Sequence, residues 1–99
     1  MYKLLLFLKK TDKEKIINHF NEFTLKYLSN VVNKKITAGK VESNLLTDEK
    51  YLLFCEVTVD SKDKWDELMN SKQGKDLNKD LAEFHEFLTA IFVNYEDSK

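Results

Sequence analysis

The sequence predicts one α+β domain with the element order β-α-β-β-α-β, in which the helices cover one face of an antiparallel sheet. Two observations carry this prediction. Runs rich in leucine, valine and aromatic residues have the length of strands at 2–8, 51–59 and 89–95. Between them, two stretches repeat apolar residues at the spacing of three and four that is typical of amphipathic helices.

The first half of the chain is predicted to contain a strand, a helix and an edge strand, as in the ferredoxin-like plan. Thr11 and Glu14 have the spacing of a capping box and predict the start of the first helix. The polar, alternating segment 31–44 predicts an exposed or edge strand. The apolar stripe of the first helix consists of Ile16, Phe20, Phe23 and Tyr27.

The second half is predicted to form a strong strand, a helix broken in two and a final strand. Ser61 follows the strand at 51–59 and can cap the first of the two helices. Gly74 interrupts the apolar pattern, as expected where a helix ends in a left-handed residue. The stripes on either side of this break are Trp65, Leu68 and Met69, and then Leu77, Leu81, Phe84 and Leu88.

The spacing of Ser71, Gly74, Leu77, Asp80 and Phe84 resembles that of the EthD-like family of dimeric α+β barrels, and the resemblance covers most of the chain. It implies a single domain over residues 1–99 that forms a dimeric barrel and needs no cofactor. The implied activity is cofactor-independent, monooxygenase-like oxygenation, cyclisation or isomerisation of an apolar or aromatic substrate.

The same resemblance leaves the activity open at one position. Family members often carry a histidine in the first helix, and Phe23 stands at that position in this chain. This departure favours two alternatives to an enzyme, namely a non-catalytic protein that binds a small apolar ligand or a structural dimer module.

The strands predict a homodimer independently of the family, because both of their faces are apolar. In the first strand Leu5 and Phe7 face away from the remaining leucines. In the third, Leu52 and Phe54 share a face with Glu56 and Thr58, opposite a second apolar face. Two helices cover one face of so small a sheet, and a second copy would cover the other. The predicted core face of the third strand consists of Tyr51, Leu53, Cys55, Val57 and Val59.

Composition argues against several classes of function. The net charge is −1 and no basic residue is an arginine, so the chain lacks the basic excess expected of a nucleic-acid-binding protein. Cys55 is the single cysteine, and the longest apolar run, at 4–8, is too short to span a membrane. We therefore expect a cytoplasmic protein without a disulfide, a metal site or a membrane anchor.

Glu56 and His85 are the predicted catalytic residues. Glu56 lies mid-strand on the predicted barrel face and can act as an acid or base there, or it can simply pair with Lys3 or with a lysine of the second strand. His85 directly follows the family-like Phe84. His19 is a weaker candidate, and either histidine can instead be a boundary or solvent-exposed residue.

The remaining candidates are one carboxylate and a set of aromatic residues. Asp80 can contact a ligand, or it can bond the backbone near the break at Gly74. The aromatic residues can shape an apolar ligand pocket, or they can be ordinary core residues. The predicted ligand-binding residues are Phe23, Tyr27, Trp65 and Phe54.

Overall fold

The computed structural model describes residues 1–46, 48 and 50–95. Two helical segments, α1 and α2, are joined by a π-helical turn, and a short 3₁₀ turn precedes the last strand. In chain order the elements are β1 (Tyr2–Lys9), α1 (Glu14–His19), the π-helical turn (Phe20–Thr24), α2 (Leu25–Val32), β2 (Gly39–Lys40), β3 (Tyr51–Val59), α3 (Lys62–Met69), α4 (Lys72–Glu83), the 3₁₀ turn (His85–Phe87) and β4 (Leu88–Asn94).

The strands of the described residues form one antiparallel sheet in the order β2-β3-β1-β4. The two long strands, β1 and β3, lie at the centre, and β2 lies at one edge, as predicted. The strand is only two residues long, however, and the predicted range 31–44 was wrong at its start, because residues 31 and 32 continue the helix. The helices pack on one face of the sheet. This confirms the predicted ferredoxin-like α+β fold.

The core lies between the helices and the face of the sheet that they cover, which we call the covered face. In β1 the alternation is clear, because Leu4 and Leu6 are 2% and 0% exposed whereas Leu5 is half-buried. Cys55 of β3 lies opposite Leu6 and is also buried. The buried apolar residues contributed by the helices are Phe20, Leu28, Val31, Trp65 and Leu77.

The opposite face of the sheet, which we call the open face, carries no helix of the described chain. A register shift at the end of β1 pairs Leu8 with Leu53 but Lys9 with Tyr51, so that Leu52 is an extra residue in β3. This bulge turns Tyr51 to the open face, where its ring lies 4.6 Å from that of Phe7. The prediction that Tyr51 shares the covered face with Leu53 was therefore wrong.

The first helix starts differently from the prediction and extends into the segment 31–44 that was predicted to be a strand. The helix begins at Glu14, after Lys13, which supplies no side-chain cap. Thr11 does not form a capping box, because its hydroxyl accepts instead from the backbone N–H of Lys13 at 3.2 Å. The helix ends at Asn33, whose φ of 52° is the left-handed conformation that asparagine tolerates better than most residues.

The break between α3 and α4 is built by Ser71 and requires glycine at position 74 for a different reason than predicted. Ser71 donates to the carbonyl oxygen of Leu68 at 2.6 Å and accepts from the N–H of Gly74 at 3.1 Å. Gly74 lies in the first turn of α4, not at the end of α3. A Cβ atom there would lie 2.3 Å from the Cα of Met69. The close approach of the two helices, and not a left-handed backbone, therefore requires the glycine.

Candidate acid/base site

Three polar side chains meet where the first helix crosses α4. His19 Nε2 lies 2.5 Å from Asp80 Oδ1, and the hydroxyl of Thr24 donates to Asp80 Oδ2 at 2.8 Å. Asp80 and Thr24 are only 5% and 1% exposed. Both carboxylate oxygens of Asp80 thus have a partner, as a buried carboxylate requires.

The π-helical turn explains how His19 and Thr24 reach the same carboxylate. On a regular α-helix, residues five apart point about 140° away from each other, because each turn takes 3.6 residues. Here the N–H of Leu25 bonds to the carbonyl of Phe20, five residues back, which is the π-helical pattern. The wider turn brings His19 and Thr24 to the same side of the helix. Such turns often occur at functional sites.

The π turn also corrects the predicted apolar stripe of the first helix. A period of 3.6 residues places Phe23 on the inward face with Phe20, but Phe23 is 46% exposed and Thr24 occupies the buried position. Phe23, which stands where family members often carry a histidine, is therefore directed outward. In this chain Thr24 and His19 contact the buried carboxylate instead.

Aromatic rings flank the imidazole of His19. Its ring stacks on that of Phe84 with centroids 3.9 Å apart, and on that of Phe23 with centroids 5.2 Å apart. Asp80 holds Nε2, and Nδ1 has no hydrogen-bond partner within the part of the chain that the structure describes. The arrangement orients one nitrogen by a carboxylate and leaves the other for a proton acceptor or donor, between apolar surfaces.

Two clefts meet at His19. On the inner side, a narrow crevice lies between helix and sheet and has no room for a water molecule. On the outer side, a cleft of about 260 Å³ opens between the first helix and α4. The inner crevice is apolar, with Leu8, Ile16, Phe20, Phe84, Phe87 and Leu88 in its wall. The outer cleft is polar, with Tyr27, Asp76, Lys79 and Glu83 in its wall.

The structure does not bring the two predicted catalytic residues together. His85 is exposed in the 3₁₀ turn, and its Nδ1 lies 2.9 Å from the carbonyl oxygen of Ala82. Glu56 lies on the open face, where its Oε1 accepts from Lys3 Nζ at 2.8 Å. The pairing with Lys3 that the sequence offered as the alternative for Glu56 is thus present.

The four predicted ligand-binding residues are also distributed over the molecule. Tyr27 lines the outer cleft beside His19, and Phe23 is an exposed residue stacked on His19. Trp65 is buried in the core with its ring 5.6 Å from that of Phe92. Phe54 lies on the open face, 4.9 Å from Phe7. Two of the four are therefore next to His19, and two are not.

Other reactive groups lie away from this site. Cys55 is buried in the covered face, and burial raises the pKa of its thiol to about 12, which disfavours the nucleophilic thiolate. Among residues 1–46, 48 and 50–95, no cluster of three or more histidine, cysteine or acidic side chains is arranged to hold a metal ion. Within the same ranges, no helix has the length and apolar character needed to cross a membrane.

The sequence contained a signal for this site. His19 and Asp80 each interrupt or border an apolar stripe on one of two helices, and both were noted as candidates. Their pairing depends on how the helices cross and on the π turn, which single-helix periodicity does not reveal. Thr24 was missed for the same reason.

No protein-family model matches this sequence, and no curated protein matches it. Several solved structures resemble the chain at low identity. An EthD family protein from Bacillus halodurans is 17% identical, with a TM-score of 0.79 over 97% of this chain and 99% of that one. A protein from Arabidopsis thaliana is 20% identical, with a TM-score of 0.62 over 100% of this chain and 97% of that one.

A third structure, from Bacteroides fragilis, is described as a dimeric protein of unknown function with a ferredoxin-like fold. It is 22% identical, with a TM-score of 0.51 over 95% of this chain and 94% of that one. At these identities the likeness concerns the fold. The chain has the α+β fold of an EthD-family protein, as its Ser-Gly-Leu-Asp-Phe spacing predicted.

Proposed function

We propose that the protein is a homodimeric, cofactor-independent enzyme that moves a proton on an apolar or aromatic substrate, with His19 as its acid/base. The observation that supports this proposal is the contact of His19 with the buried carboxylate of Asp80, which Thr24 also binds. Oxygenation, cyclisation and isomerisation of such substrates are the reaction classes that the family resemblance implies.

The geometry favours proton transfer over nucleophilic catalysis. Asp80 holds the imidazole of His19 in one orientation and fixes which nitrogen faces it, the role that a carboxylate has toward histidine in many acid/base sites. Cys55, the one thiol, is buried under the sheet and far from ionisation at neutral pH, since burial raises its pKa to about 12. The free nitrogen of His19 would therefore act on the substrate directly.

The surroundings of His19 favour an apolar substrate. Phe84 and Phe23 stack on the two sides of the imidazole, and an aromatic substrate could replace one of these rings with little loss of contact. Phe23 is the ring that can leave more easily, because it is 46% exposed. A substrate ring could then stack on the imidazole where Phe23 now lies, with the bond that loses its proton at the edge of the ring that carries Nδ1.

The alternative is a protein that binds a small ligand without catalysis, or a structural dimer module. The narrowness of the inner crevice favours this alternative, because a substrate can enter that crevice only if surrounding side chains move. His85 and Glu56 remain competing candidates for the acid/base. The test must therefore show which of His19, His85 and Glu56, if any, transfers the proton.

A base-promoted probe reaction makes this test without knowledge of the substrate. Nitrobenzisoxazole opens to a coloured phenolate when a base removes one proton, and it is small, apolar and aromatic. We expect the wild-type protein to accelerate the opening and His19→Gln to lose most of that acceleration. His85→Gln makes the same change at the competing, exposed histidine and should retain the acceleration.

The outcomes distinguish the hypotheses. Loss of acceleration in His85→Gln or Glu56→Gln, with His19→Gln unaffected, would transfer the role to that residue. Acceleration that survives all three changes, or is absent from the wild type, would contradict the acid/base proposal and favour the binding or structural alternative.

The homodimer is supported by the open face. The face has no covering helix among the described residues and is mostly apolar, with Ile91 44% exposed. The three long strands are each about 26 Å long and together span about 14 Å, and β2 adds little because it has two residues; this gives roughly 750 Å² of sheet over two copies, the size of a weak interface. We expect Leu5→Lys to shift the protein to a monomer in sedimentation velocity, and Asn18→Lys, on the helix surface, to leave it dimeric.

A further inference from the structure

One ion pair lies among the apolar side chains of the open face. Lys3 Nζ is 2.8 Å from Glu56 Oε1, and the two side chains are 22% and 42% exposed. They stand on β1 and β3, the two central strands of the sheet. The apolar side chains of this face include Leu5, Phe7, Tyr51, Phe54, Ile91 and Val93.

We propose that the Lys3–Glu56 pair sets the orientation in which two copies of the chain pack across their open faces. This inference rests on the homodimer proposed above and names the residues that give it specificity. Apolar contact alone is non-directional, so an apolar face permits several rotations of one sheet over the other. A charged pair on the two central strands, within the contact, distinguishes these rotations.

The symmetry of a homodimer makes the two copies of the ion pair face each other. A two-fold axis between the sheets makes each copy present the same ion pair to the other. An axis perpendicular to the line from Lys3 to Glu56 reverses the pair and places each ammonium over a carboxylate. An axis parallel to that line preserves the direction of the pair and places like charges together. The pair runs diagonally across the strands, because Lys3 lies opposite Thr58 and Glu56 lies opposite Leu5. The line from Lys3 to Glu56 therefore has a component along the strands and a component across them. The favourable rotation is the one that places opposite charges over each other.

The charge of the Lys3–Glu56 pair and the cost of burying it both favour this role. The hydrogen bond to Glu56 raises the pKa of Lys3, so the ammonium remains charged at neutral pH. Burying the pair in a dimer costs desolvation, and the charges of the second copy offset that cost only in the alternating arrangement. Buried polar groups in other assemblies fix orientation in this way at some cost in stability.

Charge substitutions test the proposal. Lys3→Glu leaves two carboxylates on each face, Glu56→Lys leaves two ammonium groups, and each homodimer should dissociate at least about tenfold more readily than the wild type. The double variant K3E/E56K reverses the pair in both copies and should dimerise within about threefold of the wild type. Dissociation constants would be measured by sedimentation velocity at low salt.

A mixing experiment gives the second readout. Lys3→Glu and Glu56→Lys, mixed in equal amounts, should form the heterodimer in excess over either homodimer in native mass spectrometry. Heterodimer formation also demonstrates that both single variants are folded. The matched control is Lys62→Glu, which breaks the exposed Lys62–Asp66 pair of α3 and should leave the dimer unchanged.

Two results would overturn the inference, and they are distinguishable. If both single variants dimerise as tightly as the wild type and mix at random, the dimer stands but the ion pair does not orient it. If the wild-type chain itself is monomeric at micromolar concentration, the homodimer and the inference fail together.

Discussion

The two faces of the sheet have nearly the same apolar character but different surroundings. On the covered face, Leu4 and Leu6 lie under the helices and are 2% and 0% exposed. On the open face, Leu5 of the same strand is only half-buried. The polar groups differ in the same way, since Asp80 is buried among its partners and the Lys3–Glu56 pair is partly exposed. The apolar residues of a strand thus indicate which faces favour a covering partner, but not what that partner is.

The largest expected difference between the faces concerns leucine truncation. Leu6→Ala removes a fully buried side chain, so we expect the free energy of unfolding to fall by about 2–5 kcal/mol in urea titration. Leu5→Ala, one residue away, should cost less than about 1 kcal/mol at the lowest protein concentration. Its cost should increase with concentration, because in the proposed homodimer a second copy would cover Leu5. Equal, concentration-independent costs would remove the distinction between the faces.

The second prediction concerns α3 and α4, two of the helices that pack on the covered face. Gly74→Ala forces a Cβ atom to within 2.3 Å of the backbone of Met69, so α3 and α4 must separate. We expect a loss of about 1–3 kcal/mol in the free energy of unfolding, measured by urea titration. Gly39→Ala, where no atom lies within 4 Å of the new Cβ, should be neutral or slightly stabilising. A neutral Gly74→Ala would contradict the close approach of the two helices.

The third prediction compares polar groups. Asp80→Asn removes the charge and one of the acceptors that His19 and Thr24 contact, so we expect a loss of about 1–3 kcal/mol. Asp76→Asn, one turn earlier on the exposed side of α4, should change the free energy by less than about 0.5 kcal/mol. Chemical denaturation of the two variants at one protein concentration compares them directly. If both variants changed the free energy of unfolding by a similarly small amount, the contacts of Asp80 with His19 and Thr24 would not stabilise the fold.

The smallest expected effect is a pH dependence that originates under the covered face. Burial raises the pKa of Cys55 from 9.0 to about 12, so folding retains a proton that the unfolded chain loses between these values. This contribution to stability is complete below about pH 9 and is lost as the pH rises toward 12. At pH 10 the loss is about 1 kcal/mol relative to neutral pH.

Comparison with Cys55→Ala separates this contribution from the titration of lysine and tyrosine. The wild type should lose stability between pH 8 and 10 more steeply than the variant in thermal or urea unfolding. Parallel curves for the two proteins would mean that the thiol is not protected by the covered face.

The fold was predictable because its signals are local and periodic. The alternation of Leu4, Leu5 and Leu6 predicted β1 and its two faces, and Ser61 predicted the start of α3, where its hydroxyl accepts from Lys64 at 3.1 Å. The order of elements then left few topologies. The family-like spacing of Ser71 and Gly74 also has a local physical basis in their hydrogen bond.

The candidate site was only partly predictable, because irregularities of one residue decide which side chains meet. The π turn exposes Phe23 and buries Thr24, and the bulge at Leu52 moves Tyr51 to the open face. A helical or strand period assumes that neither irregularity occurs. His19 and Asp80 were visible as polar residues beside apolar stripes, but their contact joins positions 61 residues apart and depends on the tertiary fold.

The mass of the native protein at micromolar concentration tests the central claim, that a second copy covers the open face. Native mass spectrometry from a volatile buffer, followed by denaturation of the same sample, also detects any small molecule that the protein retains. We predict a species of twice the 11.7 kDa chain mass, which Leu5→Lys converts to the single chain. A wild-type protein that has the mass of one chain at this concentration would contradict the claim.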